Sequence, residues 1–175
     1  KAVTDGAIVN IETWREIEWL TELPKDKLYK VGIRININIS EVSPKDEANA
    51  NDNSRFGFSF ENGDFKKAII AINKLNNVRV VGIHTHREPK TRSVNFYRNV
   101  IRYIQKIVNS ICQGLEYWDL GGGFFGPMPN KPSFTDYVTG FYEAMEPWAR
   151  ELTITLEPGN AIVASSFSYV TEVLD

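Results

Sequence analysis

Short β-type runs alternate with longer helical patterns along most of the chain, and this alternation restricts the fold more than any other feature. The predicted strands are residues 7–11, 30–37, 78–86, 115–120 and 153–157, and the predicted helices between them are residues 13–23, 64–76, 93–111 and 134–151. This order is typical of βαβ units with parallel strands. The sequence therefore predicts an α/β fold, either a barrel or an open sheet.

Two of the predicted helices begin with residues that can form a capping box. Thr13 precedes Glu16 by three positions, and Ser133 precedes Asp136 in the same way. A hydroxyl at the N-cap and a carboxylate three residues later satisfy backbone N–H groups at a helix start. Between the second predicted strand and the next helix, residues 38–62 lack an apolar period up to Phe56 and are predicted to form a long loop, of the kind that often carries function.

Composition excludes several classes of partner. Lys and Arg number 20 against 22 Asp and Glu, and the sequence pI is about 5.8, so no basic surface for nucleic acid or membrane is expected. The apolar runs are far shorter than the roughly 18 residues that span a bilayer. A single Cys112 cannot form an internal disulfide, which favours a cytoplasmic setting with a buried structural thiol. A small-molecule ligand is therefore expected.

Three consecutive glycines, Gly121, Gly122 and Gly123, directly follow a predicted strand that ends in Asp119 and Leu120. Successive backbone N–H groups without side chains can converge on an anion at the carboxyl end of a strand. The alternative is an ordinary flexible turn. The position after the strand favours a phosphate site.

The two histidines of the chain, His84 and His86, lie two residues apart at the end of another predicted strand. Strand alternation directs both imidazoles to the same side. Such a pair can bind zinc, but with no third His and one distant Cys, carboxylates would have to complete the site, and no metal is predicted. The alternatives are stacking of one imidazole on a planar cofactor, or two histidines that are simply packed in the core.

Two charged residues complete the set of candidates. Glu157 ends the last predicted strand, just before a Pro-Gly turn, where a carboxylate can keep a pyridine nitrogen protonated or can simply be solvated. Arg34 places a charge inside an otherwise apolar strand. It points either into a polar barrel interior or outward past the helices, with its guanidinium in water.

Five segments together resemble one family in order and approximate spacing: residues 32–36, 54–57, 82–86, 119–124 and 157–159. They are similar to segments of the alanine-racemase-like barrels of pyridoxal-phosphate-dependent amino acid decarboxylases, the group that contains diaminopimelate, ornithine and arginine decarboxylases. The Gly-x-His-x-His form of residues 82–86 is most similar to the diaminopimelate branch.

The resemblance implies a partial (β/α)8 TIM barrel, roughly its last five strands in residues 1–167, since a whole barrel needs about 250 residues. It also implies that the early strands lie upstream, and that residues 168–175 start the connection to a C-terminal β-domain. The complete protein would be a pyridoxal 5'-phosphate-dependent decarboxylase of an amino acid and a homodimer, and the present chain alone would have little activity.

The resemblance also assigns roles to individual residues. His86 would stack on the cofactor ring, and Glu157 would pair with the pyridinium nitrogen. The backbone of Gly121, Gly122 and Gly123, together with Gly159 and Asn160, would surround the cofactor phosphate. Arg34 would lie beneath the ring, and His86, Glu157 and Arg34 would be the catalytic residues.

Three departures from the family pattern leave alternatives open. Arg87-Glu88-Pro89 replaces an apolar residue and Gly-Ser, and Asn160 replaces an Arg. The lysine that attaches the cofactor in the family lies on an early strand, and no Lys here matches it. A non-catalytic homologue that acts as a binding or regulatory module is the alternative to the enzyme. A metal-dependent hydrolase that uses His84 and His86 is a third and weaker hypothesis.

Overall fold

The computed structural model describes residues 1–44, 54–87, 91–163 and 170–172. Strands and helices alternate along these ranges, as predicted. They are β1 (Asn10–Ile11), α1 (Trp14–Thr21), β2 (Tyr29–Asn36), α2 (Ile39–Val42), β3 (Phe58–Ser59), α3 (Asp64–Asn73), β4 (Val78–His84), α4 (Val94–Ile111), β5 (Tyr117–Gly122), α5 (Phe134–Ala144), α6 (Pro147–Arg150) and β6 (Thr153–Glu157). A 3-10 turn, Gly159–Ala161, follows the last strand.

The strands form one parallel sheet in the order β1-β2-β4-β5-β6, and the short β3 pairs with the end of β2. The carboxyl ends of all the strands therefore lie along the same edge. In α/β folds with parallel strands, ligand sites form at this edge.

Strand alternation separates the two faces of the sheet. Ile33, Ile83 and Trp118 lie side by side in register and are buried, within a core that also contains the inward faces of α3 and α4. The residues one position away from each of them point to the other face. That second face corresponds to the interior of a barrel.

A tyrosine fills part of this interior face. The Tyr117 ring lies over Gly82 and its hydroxyl over Gly32, so closely that an added Cβ would come within 2.0 Å of the ring at Gly82 and 2.1 Å of the hydroxyl oxygen at Gly32. The hydroxyl donates a hydrogen bond to Asn10 Oδ1 at 2.8 Å. The two strand glycines are therefore explained by the space that this ring needs.

Both predicted capping boxes are confirmed, at Thr13 with Glu16 and at Ser133 with Asp136. The single helix predicted for residues 134–151 is wrong, because α5 ends at Ala144 and α6 starts at Pro147. Proline has no N–H to continue a helix, so it suits the first turn of a new one. Two short elements, α2 and β3, interrupt the predicted loop of residues 38–62.

The ends of other predicted elements also shift. The first strand is confined to β1, and β4 ends at His84, so His86 lies just beyond the strand. Residues 170–172 have no regular secondary structure, whereas the rest of the segment 168–175 lies outside the described residues, as do Glu88 and Pro89. Across the described ranges, no helix is long and apolar enough to cross a membrane.

Candidate functional site

A row of three polar residues crosses the interior face near the carboxyl ends of the strands. Arg34 on β2 is in register with His84 on β4, which is in register with Asp119 on β5. All three are largely buried; the residue exposures of His84 and Asp119 are both 5%. The row lies further toward the carboxyl ends of the strands than the layer that contains Tyr117.

Arg34 points to this interior face, which decides between the two orientations left open by the sequence. Its Nη1 donates to both carboxylate oxygens of Glu12, at 2.9 and 3.0 Å, and its Nη2 donates to the carbonyl of His86 at 3.4 Å. The guanidinium also lies 5.2 Å from the centre of the Phe56 ring. These contacts neutralise the charge of Arg34 and tie it to the backbone that carries His86.

His86, Gly122 and Glu157 converge at the carboxyl edge of the sheet. His86 Nδ1 lies 3.2 Å from Glu157 Oε2, and the Gly122 N–H is directed at the same nitrogen at 3.3 Å. Gly122 and Glu157 are also register partners on β5 and β6. The predicted proximity of the imidazole, the glycine backbone and the carboxylate is thus present in the structure.

The segment Gly121–Gly123 adopts a backbone conformation that glycine allows and other residues rarely adopt. Gly121 and Gly123 have φ angles of 69° and 86°, in the left-handed region that favours glycine. The Gly121 N–H donates to Asp119 Oδ1 at 2.9 Å, and the Gly122 N–H is directed at His86. Two of the three amides predicted to bind phosphate therefore already have partners within the protein.

Gly159 and Asn160 follow Glu157 in the 3-10 turn. Gly159 also has a positive φ, 54°, and a Cβ built there would meet open space. Asn160 is exposed, and within the described ranges its side chain makes no hydrogen bond or ion pair with the other site residues. These two residues lie near the site because they follow Glu157 in the chain, not because of side-chain contacts with the other site residues.

Burial dominates the electrostatics of the interior row. It lowers the pKa of His84 and outweighs the opposing effect of Asp119, while Arg34 lowers this pKa further. Burial likewise raises the pKa of Asp119, against the Gly121 N–H and His84, which lower it. Both shifts favour the neutral forms, so His84 is an uncharged imidazole near neutral pH.

The sequence predictions left out Glu12 and Asp119 as site residues. Asp119 could have been found, because it alternates with Trp118 on a buried strand and so had to face the interior. Glu12 directly follows Ile11 of β1, and a carboxylate at a strand end was the available signal. What the sequence could not show is that Glu12 meets Arg34, 22 positions away.

Residues 2–164 match the family model described as pyridoxal-dependent decarboxylase, pyridoxal binding domain. The chain belongs to this family. The family and the cofactor predicted from the sequence, pyridoxal 5'-phosphate, are thereby confirmed.

Two relatives are diaminopimelate decarboxylases. The protein from Actinosynnema pretiosum subsp. auranticum is 28% identical over 91% of this chain and 38% of its own length. The protein from Aquifex aeolicus (strain VF5) is 27% identical over 99% of this chain and 43% of its own length. The chain thus spans about two fifths of these relatives.

Solved structures confirm the predicted fold. A point mutant of diaminopimelate decarboxylase from Helicobacter pylori, complexed with L-lysine, has a TM-score of 0.71 at 23% identity and is matched over 91% of this chain and 41% of its own. The enzyme from M. jannaschii has a TM-score of 0.73 at 24% identity, over 89% and 38% of the two chains. The parallel sheet therefore corresponds to part of the barrel of these proteins.

The residues present fit the cofactor of the family. A carboxylate and an imidazole lie side by side and partly exposed at the sheet edge, with side-chain exposures of 48% for Glu157 and 32% for His86. His84 is buried beside them, and both of its ring nitrogens lack hydrogen-bond partners among the described residues. A planar base with a ring nitrogen can use an acid and an aromatic ring placed in this way.

Proposed function

We propose that the complete protein is a pyridoxal 5'-phosphate-dependent amino acid decarboxylase of the diaminopimelate type. The observation that carries this proposal is the convergence of three groups at the carboxyl edge of the sheet: His86 Nδ1 lies within 3.3 Å of both the Gly122 amide nitrogen and Glu157 Oε2. The similarity to diaminopimelate decarboxylases supports the substrate class.

When bound, the cofactor supplies a sink for the electrons released as carbon dioxide leaves the amino acid. Glu157 has the task of holding a proton at the pyridine nitrogen, because a neighbouring carboxylate favours the charged form of the base. The imidazole of His86 would pack against the cofactor ring and help to orient it. Both side chains are near the surface, so they are accessible to an incoming ligand.

Arg34 acts on this site through its contacts. Its bond to the carbonyl of His86 fixes the backbone that carries the imidazole, and Glu12 holds the guanidinium in place through two hydrogen bonds. A charged pair of this kind positions neighbouring groups without adding net charge to the site. We therefore assign Arg34 a positioning role.

The phosphate group would bind near the glycine segment and the turn after β6. Gly123 and Gly159 have positive φ angles, and Gly159 has open space around it. The Gly121 and Gly122 amides would have to exchange their present partners, Asp119 and His86, to contribute. Gly159 is therefore the strongest candidate in this part of the site, and Asn160 offers an amide donor next to it.

The attachment of the cofactor requires a lysine that this proposal expects elsewhere in the complete protein. Lys30, on β2, lies at the opposite end of its strand and pairs with Glu116 at 2.6 Å. If the complete protein has no lysine on its early barrel strands, the non-catalytic alternative holds instead. The homodimer, the cytoplasmic setting and the division between residues 167 and 168 stay predictions.

The test is reconstitution of the complete gene product with pyridoxal 5'-phosphate, followed by assays of carbon dioxide release from diaminopimelate, ornithine, arginine and lysine. We expect release from diaminopimelate to be fastest. The Glu157→Gln variant, which keeps the shape of the side chain but not its charge, should retain the fold and lose most of the rate. Cofactor binding without release from any of these substrates would refute the enzymatic proposal.

A further inference from the structure

Three side chains of types that can ligate a metal ion cluster where β4 and β6 end. His84, His86 and Glu157 each offer one donor atom, and the three atoms all lie within 4.8 Å of one another. The sequence provided the two histidines but no third ligand. The fold provides it, because parallel pairing brings the end of β6 to the end of β4 across β5.

The first indication of a missing ligand is His84. Its exposure is 5%, and neither ring nitrogen has a hydrogen-bond partner among the described residues. Its Nε2 lies 3.6 Å from Glu157 Oε2, which is too long for a hydrogen bond. Buried polar nitrogens are normally satisfied, so an unsatisfied pair beside a cluster of donors indicates a ligand.

The second indication is a conflict at His86. Its Nδ1 lies near both the Gly122 N–H, at 3.3 Å, and Glu157 Oε2, at 3.2 Å. If this nitrogen accepts from Gly122 it carries a lone pair and repels the carboxylate; if it donates to Glu157 the glycine N–H loses its acceptor. A cation held between the nitrogen and the carboxylate removes this repulsion; it takes up the lone pair of Nδ1, so the Gly122 N–H then needs another acceptor.

The spacing suits a small transition-metal ion. Zinc binds imidazole nitrogen and carboxylate oxygen at about 2.0–2.2 Å with tetrahedral geometry, which places neighbouring ligand atoms roughly 3.4 Å apart. The two distances to Glu157 Oε2 are 3.2 and 3.6 Å, close to this value. All three donor atoms lie within 4.8 Å of one another, so the two imidazoles need at most a small shift toward each other to share one ion. Two histidines and one carboxylate, with an open fourth position toward solvent, form a ligand set that zinc uses in proteins.

We propose that His84, His86 and Glu157 bind one divalent transition-metal ion of the zinc type when the cofactor is absent. The same carboxylate and imidazole serve both ligands, so metal and cofactor exclude each other. The mutual exclusion of metal and cofactor rests on the proposed function, whereas metal binding itself does not. The metal would therefore regulate how much of the protein can take up its cofactor.

The experiment uses the complete gene product stripped of cofactor and metal. Zn²⁺ is titrated in calorimetry and in competition with a chromogenic chelator, and Co²⁺ is added to read the visible d–d absorption of a tetrahedral site. We expect one ion per chain. Glu157→Gln, at a half-exposed position, and His84→Asn should each weaken Zn²⁺ binding more than the roughly 10–100-fold typical of outer-shell changes.

The matched control is Glu116→Gln, an exposed acid at the other end of the sheet, paired with Lys30. It should leave the affinity unchanged. Absence of Zn²⁺ binding by the wild type, or equal binding by Glu157→Gln, would overturn the proposal. Because Glu157→Gln changes no buried group, loss of binding there cannot be attributed to unfolding, and circular dichroism checks this for His84→Asn.

A final titration separates this inference from the proposed function. Pyridoxal 5'-phosphate added to the Zn²⁺-loaded protein should release the ion to the chelator as the absorbance of bound cofactor rises. Cofactor that binds without releasing Zn²⁺ would overturn the exclusion. Zn²⁺ binding in a protein that takes up no cofactor would instead refute the proposed function and leave the metal site standing.

Discussion

Replacing Gly122 by Ala is expected to disrupt the site by pushing the backbone of β6 away from that of β5. A Cβ at Gly122 would lie 2.0 Å from the carbonyl oxygen of Glu157 and 3.0 Å from its carbonyl carbon. Since ordinary van der Waals contact begins at roughly 3.4 Å, β5 and β6 must separate by about 1.4 Å at this point. Both atoms it meets are backbone, so no side-chain rotation can relieve the contact.

The displacement moves Glu157, on β6, away from the Gly122 N–H and from His86 Nδ1, which now lies within 3.3 Å of both groups. A shift of about 1 Å in a positioned group can cost roughly 100-fold in activity. Overpacking of this kind also destabilises a fold by about 1–3 kcal/mol. We therefore expect a moderate loss of stability and a large loss of cofactor affinity and of decarboxylation.

The assay is cofactor titration followed by absorbance, beside urea unfolding, on the complete protein. The matched control is Gly114→Ala, before β5, where φ is 71° and a Cβ would meet open space. That change should cost about 1–2 kcal/mol through backbone strain and leave cofactor affinity intact. Wild-type affinity in Gly122→Ala would refute the reasoning from close packing.

Three further predictions concern the rest of the fold. Gln105→Leu should lower the free energy of unfolding, measured in urea, by about 1–3 kcal/mol. The buried Gln105 side chain donates to the Ala144 carbonyl at 3.0 Å and accepts from the Glu146 N–H at 2.9 Å, and both bonds would be lost. The same substitution at the exposed Gln113 is the control. Tyr117→Phe should cost about 1 kcal/mol by the same measurement, since it removes only the hydroxyl bonded to Asn10, and no change would contradict this bond. Burial raises the pKa of the Cys112 thiol from 9.0 to about 12, so its alkylation at pH 8 should be slow until urea unfolds the protein. Because the unfolded thiol ionises first, the free energy of unfolding should fall as the pH rises from about 9 toward 12. Equal alkylation rates with and without urea would contradict it.

Signals between neighbours in the chain were enough to identify the longer helices, the five strands of the main sheet and their order along the sequence, but not the short elements α2, β3 and α6. A high content of branched residues identified β2 and β4, and the capping residues at Thr13 and Ser133 located two helix starts, because both signals act over a few residues. The family followed from motifs that are equally short. The break between α5 and α6 was missed although Pro147 marks it, because the apolar pattern continues across the break.

The meeting of distant groups depends on how the strands pair. The contact of Arg34 with Glu12 and that of His86 with Glu157, 71 positions apart, require a particular strand order and register, which no local pattern encodes. The same holds for the space that Gly82 leaves to the ring of Tyr117. Local chemistry specifies strands and helices, but a site at the carboxyl edge exists only once parallel pairing has aligned the strand ends.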